Sequence, residues 1–263
     1  MAIDSNNPIS SSNYVASLQA INTSLASGSQ INQSADNPAG QAIISSLTSQ
    51  INTQDIGVQN ANSGINLLQT ATSGVQNINE SVLRMNELAI QAQNGTLNSQ
   101  QRNILNLEFQ QNLESINGLA NNTNFNGLNL LNGETNSIDI ALGDSSTTLN
   151  FADLTTNGLG LSGLDISDPA NASNALQGLQ LASEQLLNSQ SQFGAQQNGL
   201  QSSAENIANQ NVNTLSTRSR MSDTDFARAI TEQVRQSILN ESSLTMQVQN
   251  NQSRDNVLQL LGG

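Results

Sequence analysis

The sequence predicts a mainly α-helical fold: long, heptad-patterned helices that form a rod-like bundle, a small β-hairpin region, and a pair of terminal helices. Three observations lead to this prediction. Apolar residues recur at seven-residue intervals over residues 41–93 and again over 171–222, as they do in coiled coils. Neither stretch contains a proline. Only 2% of the residues are aromatic, which indicates a thin core and favours an extended helical assembly.

The first element is a short amphipathic helix that ends at Gly28, where glycine can adopt the left-handed conformation that often ends a helix. A polar segment follows. In it, Asp36 or Asn37 can cap the next helix, and Pro38 fits the first turn of that helix, where no N–H is needed. The apolar stripe of the first helix consists of Val15, Leu18, Ile21 and Leu25.

The second element is a helix predicted over residues 41–93, about 80 Å long at a rise of about 1.5 Å per residue. Gly57, Gly64 and Gly74 each cost this helix roughly 1 kcal/mol relative to alanine, so packing must support it, and small residues permit close approach. Its predicted apolar seam, with Gln54 as the one polar member, combines two seven-spaced series: Ile44, Ile51, Val58 and Ile65, and Leu47, Ala61, Leu68, Val75, Val82 and Ala89.

Two further helices complete the predicted bundle. The first spans about residues 98–120, after a turn at Asn94–Gly95, and the second spans about residues 171–222. The apolar residues of the first are Leu105, Phe109, Leu113, Ile116 and Leu119. The seven-spaced residues of the second are Leu179, Leu186, Phe193, Leu200, Ile207 and Met221, with Thr214 completing the series.

Residues 121–168 lose the helical period. Asn126–Gly127 and Asn132–Gly133 are turn dipeptides, and the alternating segments SIDIAL and TTLNFADL predict short strands. The segment GLGLSG has the G-x-G-x-x-G spacing of a dinucleotide-binding loop. The strand before it and the helix after it that such a loop requires are not predicted, so we interpret the segment as an ordinary loop.

A final amphipathic helix is predicted near the C-terminus. Its apolar residues are Phe226, Ile230, Val234 and Ile238, and the chain closes with Val257, Leu258, Leu260 and Leu261. Short isolated helices are marginal in water, so neither terminus can bury its stripe alone. We therefore expect the terminal helices to pair with each other or with other chains.

The composition excludes several classes of function. The 263-residue chain has a net charge of −13 and contains no His or Cys, and all seven of its basic residues are Arg. Catalysis by His or Cys, disulfides, ordinary zinc sites and lysine-containing phosphate loops are therefore excluded, and we expect neither an enzyme nor a cofactor. The acidic balance argues against nucleic-acid binding. No apolar run approaches the roughly 20 residues of a membrane span, and the N-terminus does not look like a cleavable secretory signal.

Several separated segments resemble bacterial flagellins and occur in that family's order. LASGSQINQSADNPAGQAI resembles the N-terminal signature of the family. QNANSGINLLQTATSGVQNINESVLRMNELAIQA and NTNFNGLNLLNG resemble the segments that follow it. TRSRMSDTDFARA and NVLQLLGG resemble the C-terminal signature. A set of motifs in the right order is far more specific than any one of them.

The resemblance implies a minimal flagellin without outer variable domains. Residues 1–36 and 223–263 would form an inner coiled-coil layer of paired terminal helices, and residues 37–222 would form a rod-like outer domain. Residues 28–39 would connect the two layers, with a C-terminal partner near residues 222–225. The break in the helix would then let the two layers pack independently.

The implied function is that of a structural subunit that polymerises into the bacterial flagellar filament for motility. The implied partners are further copies in a helical homopolymer, the hook-associated junction and cap proteins, and a flagellar export chaperone; no nucleic acid and no membrane is implied. The location would be the extracellular flagellum, reached by type III export without a cleavable signal peptide. Two alternatives stay open: a hook–filament junction protein and a rod-like secreted surface adhesin.

The resemblance also assigns candidate contact residues. Arg84, Leu88 and Glu108 fall where some flagellins contact the vertebrate flagellin-sensing Toll-like receptor. The alternative for this surface is packing against the next subunit, and both can hold. The apolar residues expected to pack between subunits at the termini are Leu18, Ile21, Leu25, Phe226, Ile230, Val234, Ile238, Leu258 and Leu261.

Overall fold

The structure, a computed structural model, describes residues 9–261; the side chains of residues 9–13, 254, 255 and 258–261 lie outside this description. Its elements are α1 (Ile9–Ser27), α2 (Pro38–Ala92), α3 (Ser99–Asn122), β1 (Asn124–Phe125), β2 (Leu128–Asn129), β3 (Ser137–Ala141), β4 (Ser146–Asn150), α4 (Pro169–Ser222) and α5 (Phe226–Leu261). The predicted fold class, long helices with a small hairpin region and a helix at each end, is confirmed.

The described residues form two compact units. The terminal unit comprises the described parts of Met1–Ile51 and Val212–Gly263, and the central unit comprises Asn52–Asn211. Helices α2 and α4 contribute residues to both units. The division into layers at residues 36 and 222, which the family resemblance implies, stays a prediction.

Local capping explains where the first two helices end and begin. Gly28 has a φ of 71°, and its N–H donates to the carbonyl oxygen four residues earlier at 2.9 Å, so it ends α1 as predicted. Of the two candidate caps for α2, Asn37 is the one used, because its Oδ1 accepts from the N–H of Gly40 at 2.9 Å. The carboxylate of Asp36 instead closes the preceding turn, where it accepts from two backbone N–H groups.

Helix α2 is buried along a broader stripe than the predicted seam. Seam residues that are buried as predicted are Ile51, Ala61, Ile65, Leu68, Val75, Val82 and Ala89. A third seven-spaced series, which is not part of the predicted seam, is also buried: Gly57, Gly64, Ala71, Ile78, Met85 and Ala92. The buried stripe is broad because several elements of the central unit pack against α2, among them α4 and the β3–β4 turn.

The other helices of the central unit bury most of the apolar residues expected of them, whereas Leu105, Leu119 and Ile207 are only partly buried. Buried residues of α4 include the predicted Leu179, Leu186, Phe193 and Leu200, together with small residues of a second series, Ala175, Ala182 and Ser189. Buried residues of α3 are Phe109, Leu113, Ile116 and Ala120. The ring of Phe193 lies 5.6 Å from that of Phe151, centroid to centroid, which adds an aromatic contact to the core.

Two antiparallel hairpins lie between α3 and α4 in the chain. Strands β1 and β2 are joined by Asn126 and Gly127, whose φ values of 51° and 82° are those that a two-residue type I′ turn requires. Strands β3 and β4 pair from Ser137 with Asn150 to Ala141 with Ser146. The three glycines of the G-x-G-x-x-G spacing lie in turns before α4, as the sequence analysis interpreted them.

Glycine lets the β3–β4 turn approach α2 closely. A Cβ atom added at Gly57 would lie 2.8 Å from the backbone carbonyl carbon of Leu142, a distance that real Cβ atoms essentially never show. The obstacle is backbone, which cannot rotate away as the end of a side chain can. The glycine that weakens α2 as a helix is therefore required by its packing.

We expect Gly57→Ala to destabilise the central unit by about 1–2 kcal/mol, because steric overlap outweighs the roughly 1 kcal/mol that alanine gains in a helix. The matched control is Gly194→Ala in α4, where an added Cβ meets no atom within 4 Å. That variant should gain up to about 1 kcal/mol. Urea unfolding followed by circular dichroism measures both, and a gain in both variants would contradict the close approach.

Candidate assembly surface

The two terminal helices pair with each other inside one chain. In the terminal unit, the Nε2 of Gln233 on α5 donates to the Oδ1 of Asn22 on α1 at 2.6 Å. The hydroxyl of Thr224, just before α5, donates to the carbonyl oxygen of Ser24 at 3.2 Å. In these two contacts the residue number on α1 decreases as the residue number towards and along α5 increases, so the two helices are antiparallel. The expected pairing of the termini is thus present in the single chain.

The chain segments next to these helices are joined by backbone hydrogen bonds. The N–H of Gln30 donates to the carbonyl oxygen of Ser222 at 2.6 Å, and the N–H of Thr224 donates to that of Gly28 at 2.9 Å. These bonds frame a single antiparallel β-bridge between the intervening residues. The family resemblance predicts that these segments are partners. Their strand-like pairing is not predicted, because a single bridge is too short to leave a period in the sequence.

Two carboxylates lie at the junction between α4 and α5, one bonded to each helix. Asp225 caps the helix, because its Oδ1 accepts from the N–H of Arg228 at 3.2 Å. Asp223 accepts hydrogen bonds from the hydroxyls of Ser219 and Ser222. Those bonds, the one from Ser219 first, hold the pKa of Asp223 below its usual value. Asp223 therefore stabilises the end of α4, and Asp225 stabilises the start of α5.

An apolar stripe runs along the outer side of α5 and is left uncovered in the single chain. The exposed fractions of its four predicted residues, spaced by four, are 52% for Phe226, 49% for Ile230, 52% for Val234 and 58% for Ile238. On α1, Leu18, Ile21 and Leu25 are partly buried. The side chains of Leu258 and Leu261, also predicted for this surface, lie outside the described residues. We call the four α5 residues the α5 stripe.

The uncovered apolar surface of α5 extends further than the sequence analysis predicted. Additional exposed residues are Leu239, Leu244, Met246, Val248 and Val257. Met246 keeps the four-residue spacing of the predicted residues, eight residues beyond Ile238, whereas Leu244 and Val248 are four residues apart but lie off that spacing.

The second predicted contact region lies on α2 and α3 in the central unit. Arg84 bridges the two helices, since its Nη2 lies 2.6 Å from the Oε1 of Glu108, and its Nη1 lies 2.9 Å from the Oε2 of Glu87. The hydrogen bond that Arg84 donates to Glu108, followed by the one that it donates to Glu87, raises the pKa of the Arg84 guanidinium. These three charged side chains are exposed enough to meet a partner.

Leu88, which the resemblance placed in the same contact region, is completely buried. It belongs to the core of the central unit and presents no atom to the surface. The sequence does not separate these cases, because Leu88 lies outside the predicted seam and four residues from Arg84, on the same side of the helix. The candidate contact surface is therefore carried by Arg84 and Glu108, which Leu88 supports from inside.

Among the described residues, no group of three or more acidic, His or Cys side chains is placed to hold a metal ion. Among the described helices, none combines the length and the hydropathy that crossing a bilayer requires.

Comparison with known families decides what kind of protein this fold is. The N-terminal helical region of bacterial flagellin matches residues 2–136, and the C-terminal helical region of bacterial flagellin matches residues 176–261. The chain belongs to the bacterial flagellin family. Only residues 137–175 separate the two matched regions, so this flagellin is of the minimal type, without an inserted outer domain.

Individual relatives agree with this assignment. A flagellin of Halalkalibacterium halodurans is 35% identical over 242 residues, which cover 90% of this chain and 89% of the relative. The crystal structure of Bacillus cereus flagellin is 30% identical, with a TM-score of 0.52, over 57% of this chain and 88% of that one. A protein of Vibrio parahaemolyticus assigned as flagellar hook-associated has a TM-score of 0.62 over 72% of this chain and all of its own, but at 13% identity it shows a shared fold alone.

This flagellin is a structural subunit of the bacterial flagellar filament. The matches to both terminal regions, and to a flagellin over nine-tenths of the chain, favour that function over a junction protein or an adhesin. The filament function inferred from the sequence is confirmed.

Proposed function

We propose that this flagellin polymerises by burying the α5 stripe, together with the adjoining face of α1, against neighbouring copies. The observation that carries the proposal is that four apolar residues in a row on α5 are each about half exposed, although α5 is already paired with α1. An apolar stripe of this kind on a soluble protein marks an interaction surface. Every copy carries the same stripe, so a helical homopolymer can bury all of them.

The charge of the chain makes such an apolar contact necessary. Each subunit carries a net charge of −13, and copies packed side by side repel one another. The hydrophobic effect supplies an attraction that does not depend on charge. We therefore assign the main driving force of polymerisation to the termini and only positioning contacts to the charged surface of the central unit.

The same termini are the proposed docking surface for other flagellar proteins. Hook-associated junction and cap proteins would meet the α5 stripe at the two ends of the filament. Before assembly, an export chaperone would cover the stripe, because exposed apolar surface is an aggregation hazard. The proposed location is the extracellular flagellum. The proposal includes no catalytic role.

A second proposed contact surface surrounds Arg84 and Glu108. Their ion pair links α2 to α3 and holds two charged groups in a fixed orientation on the central unit. A neighbouring subunit is the proposed partner in the filament, and the vertebrate flagellin-sensing Toll-like receptor is the proposed partner of free monomers.

Limited digestion with trypsin tests the terminal contact. Trypsin cuts after Lys and Arg, and this chain has only its seven Arg as sites. Arg228 and Arg235 lie on α5, whereas Arg84 and Arg102 lie in the central unit. We expect cleavage at Arg228 and Arg235 to be about tenfold or more slower in filaments than in monomers, because proteolysis requires local opening. Cleavage at Arg102 is the internal control and should be slow in both forms, whereas Arg84 belongs to the second proposed contact surface and does not serve as a control.

Equal cleavage rates on α5 in monomer and filament would contradict the proposal. Electron microscopy of the same samples must show filaments grown from seeds, so that an assembly failure is not mistaken for a negative result. Filaments that form while α5 stays open to trypsin would place the polymerisation contact elsewhere.

A further inference from the structure

Gln54 occupies a position that helix packing does not explain. It is the one polar residue of the predicted α2 seam, and its side chain is only 7% exposed. Its Oε1 is buried and has no hydrogen-bond partner among the described residues. A buried acceptor without a donor is destabilising, and a leucine at the same place in the seam would avoid that cost. The unsatisfied Oε1 atom of Gln54 therefore indicates a hydrogen-bond donor that does not belong to the described residues.

A cleft next to Gln54 offers a binding place for this hydrogen-bond donor. Gln54 lines a cleft of about 220 Å³ in the central unit, where α2, α4 and the β3–β4 turn meet. Asp144 and Ser145 contribute to the lining from the turn, and Ser203 and Asn206 contribute from α4. A water molecule takes about 30 Å³ in the liquid, so the cleft has room for a small organic group.

The walls of the cleft are fixed by contacts that do not involve a ligand. The Nδ2 of Asn60 donates to the carbonyl oxygen of Ala141 at 2.9 Å, which ties the end of β3 to α2. The Nδ2 of Asn211 donates to the Oδ1 of Asp55 at 2.8 Å, which ties α4 to α2. The close approach at Gly57 holds the turn in place. A site built in advance loses little entropy when it binds.

The lining chemistry selects the class of ligand. The residues around the cleft include one carboxylate, that of Asp144, and no basic side chain. Gln54 Oε1 requires an N–H or O–H donor, and Asp144 favours a positive charge. A planar cation with several N–H donors, a guanidinium group, meets both requirements at once.

We propose that this cleft binds a guanidinium group, with Gln54 accepting one of its N–H bonds and Asp144 supplying the counter-charge. The group can come from an arginine of a second copy or from a free guanidine compound. The composition supports the first source, since every basic residue of the chain is Arg. Arg220, for example, is exposed and pairs with no carboxylate that the structure describes.

Titration of the ¹⁵N-labelled full-length monomer with millimolar methylguanidinium, followed by NMR, tests the proposal. We expect saturable shifts of the Gln54 and Asn206 side-chain amides and of the backbone amides at residues 143–145, and no such shifts with sodium chloride at the same concentration. Gln54→Leu and Asp144→Asn should each weaken binding by about tenfold or more. Asp144 lies on an exposed turn, so its variant keeps the test valid if Gln54→Leu perturbs the fold.

The matched control is Gln196→Leu. Gln196 Oε1 is also buried without a partner, but Gln196 does not line this cleft, so its variant should bind methylguanidinium as the wild type does. Methylguanidinium that also slows seeded filament growth identifies the occupant as an arginine of a second copy, and binding without an effect on growth identifies a free guanidine compound. Absence of saturable shifts, or equal binding by the Gln54→Leu and Asp144→Asn variants, would overturn the proposal and leave the cleft to water. The monomer titration does not depend on how α5 assembles.

Discussion

Leu200→Asp is expected to lower the free energy of unfolding of the central unit by more than about 4 kcal/mol. Leu200 is completely buried in the α4 seam, and one of its methyl carbons, Cδ1, lies against Gly64 of α2. Loss of the leucine alone removes about 2–5 kcal/mol, and the carboxylate adds a charge with no partner in the seam. Domains are typically stable by only about 5–15 kcal/mol, so most of the stability should be lost.

The matched control for this variant is Leu187→Asp on the same helix. Leu187 is 58% exposed, so the same substitution there should change the unfolding free energy by about 0.5 kcal/mol or less. Urea unfolding followed by circular dichroism at 222 nm measures both variants. Similar losses in both would mean that the buried face of α4 is assigned wrongly.

Val234→Asp is expected to stop seeded filament growth while leaving the monomer folded. Val234 is half exposed in the single chain, so the monomer loses little when it changes. In the filament the new carboxylate would be buried in the α5 stripe contact, on a subunit that already carries a net charge of −13. A penalty of about 3 kcal/mol or more per subunit raises the critical concentration by more than about 100-fold.

Asn250→Asp is the control for the added charge. Asn250 is exposed on the same helix, sixteen residues beyond Val234 and therefore on the opposite side of it. Light scattering of seeded monomer, with electron microscopy of the product, should show growth of Asn250→Asp close to that of the wild type. If Val234→Asp grew as well as Asn250→Asp, the α5 stripe would not be the buried contact.

The long helices were predictable because their pattern is strict and long. Leu68 and Val75 in α2, and Phe193 and Leu200 in α4, each belong to a series that repeats every seven residues over about fifty residues, and all four are buried. No other structure gives that period over such a length. The α5 stripe was predictable for a related reason. Ile230 and the other stripe residues recur every four residues on one helix, and the neighbouring segment of the sequence contains no second helix that would cover them.

The remaining features depend on which residues of other elements pack against a helix. The sequence of the helix itself does not contain that information. Gly57 looks like a weak point of α2 until the β3–β4 turn is seen to lie against it. Leu88 matches a family position for surface contact, yet the fold turns it inward. Asp36 and Asn37 are equally good caps by residue type, and only the path of the preceding turn selects Asn37. Gln54 stands out in the seam, but its open cleft is made by residues far away in sequence.

The close contacts at glycine give the central unit a property that hydrophobic burial alone does not supply. Leu142 fits over Gly57, Leu200 over Gly64 and Leu131 over Gly74, so three notches along α2 each receive a neighbouring residue. Apolar surfaces without such notches can slide past one another at little cost, because sliding keeps the same area buried. Here a shift of α2 along its own axis would bring each of these leucines into steric overlap with the side chains next to the glycine. A load applied along the helix is therefore resisted by steric interlocking, which suits a subunit of a filament that turns and transmits thrust.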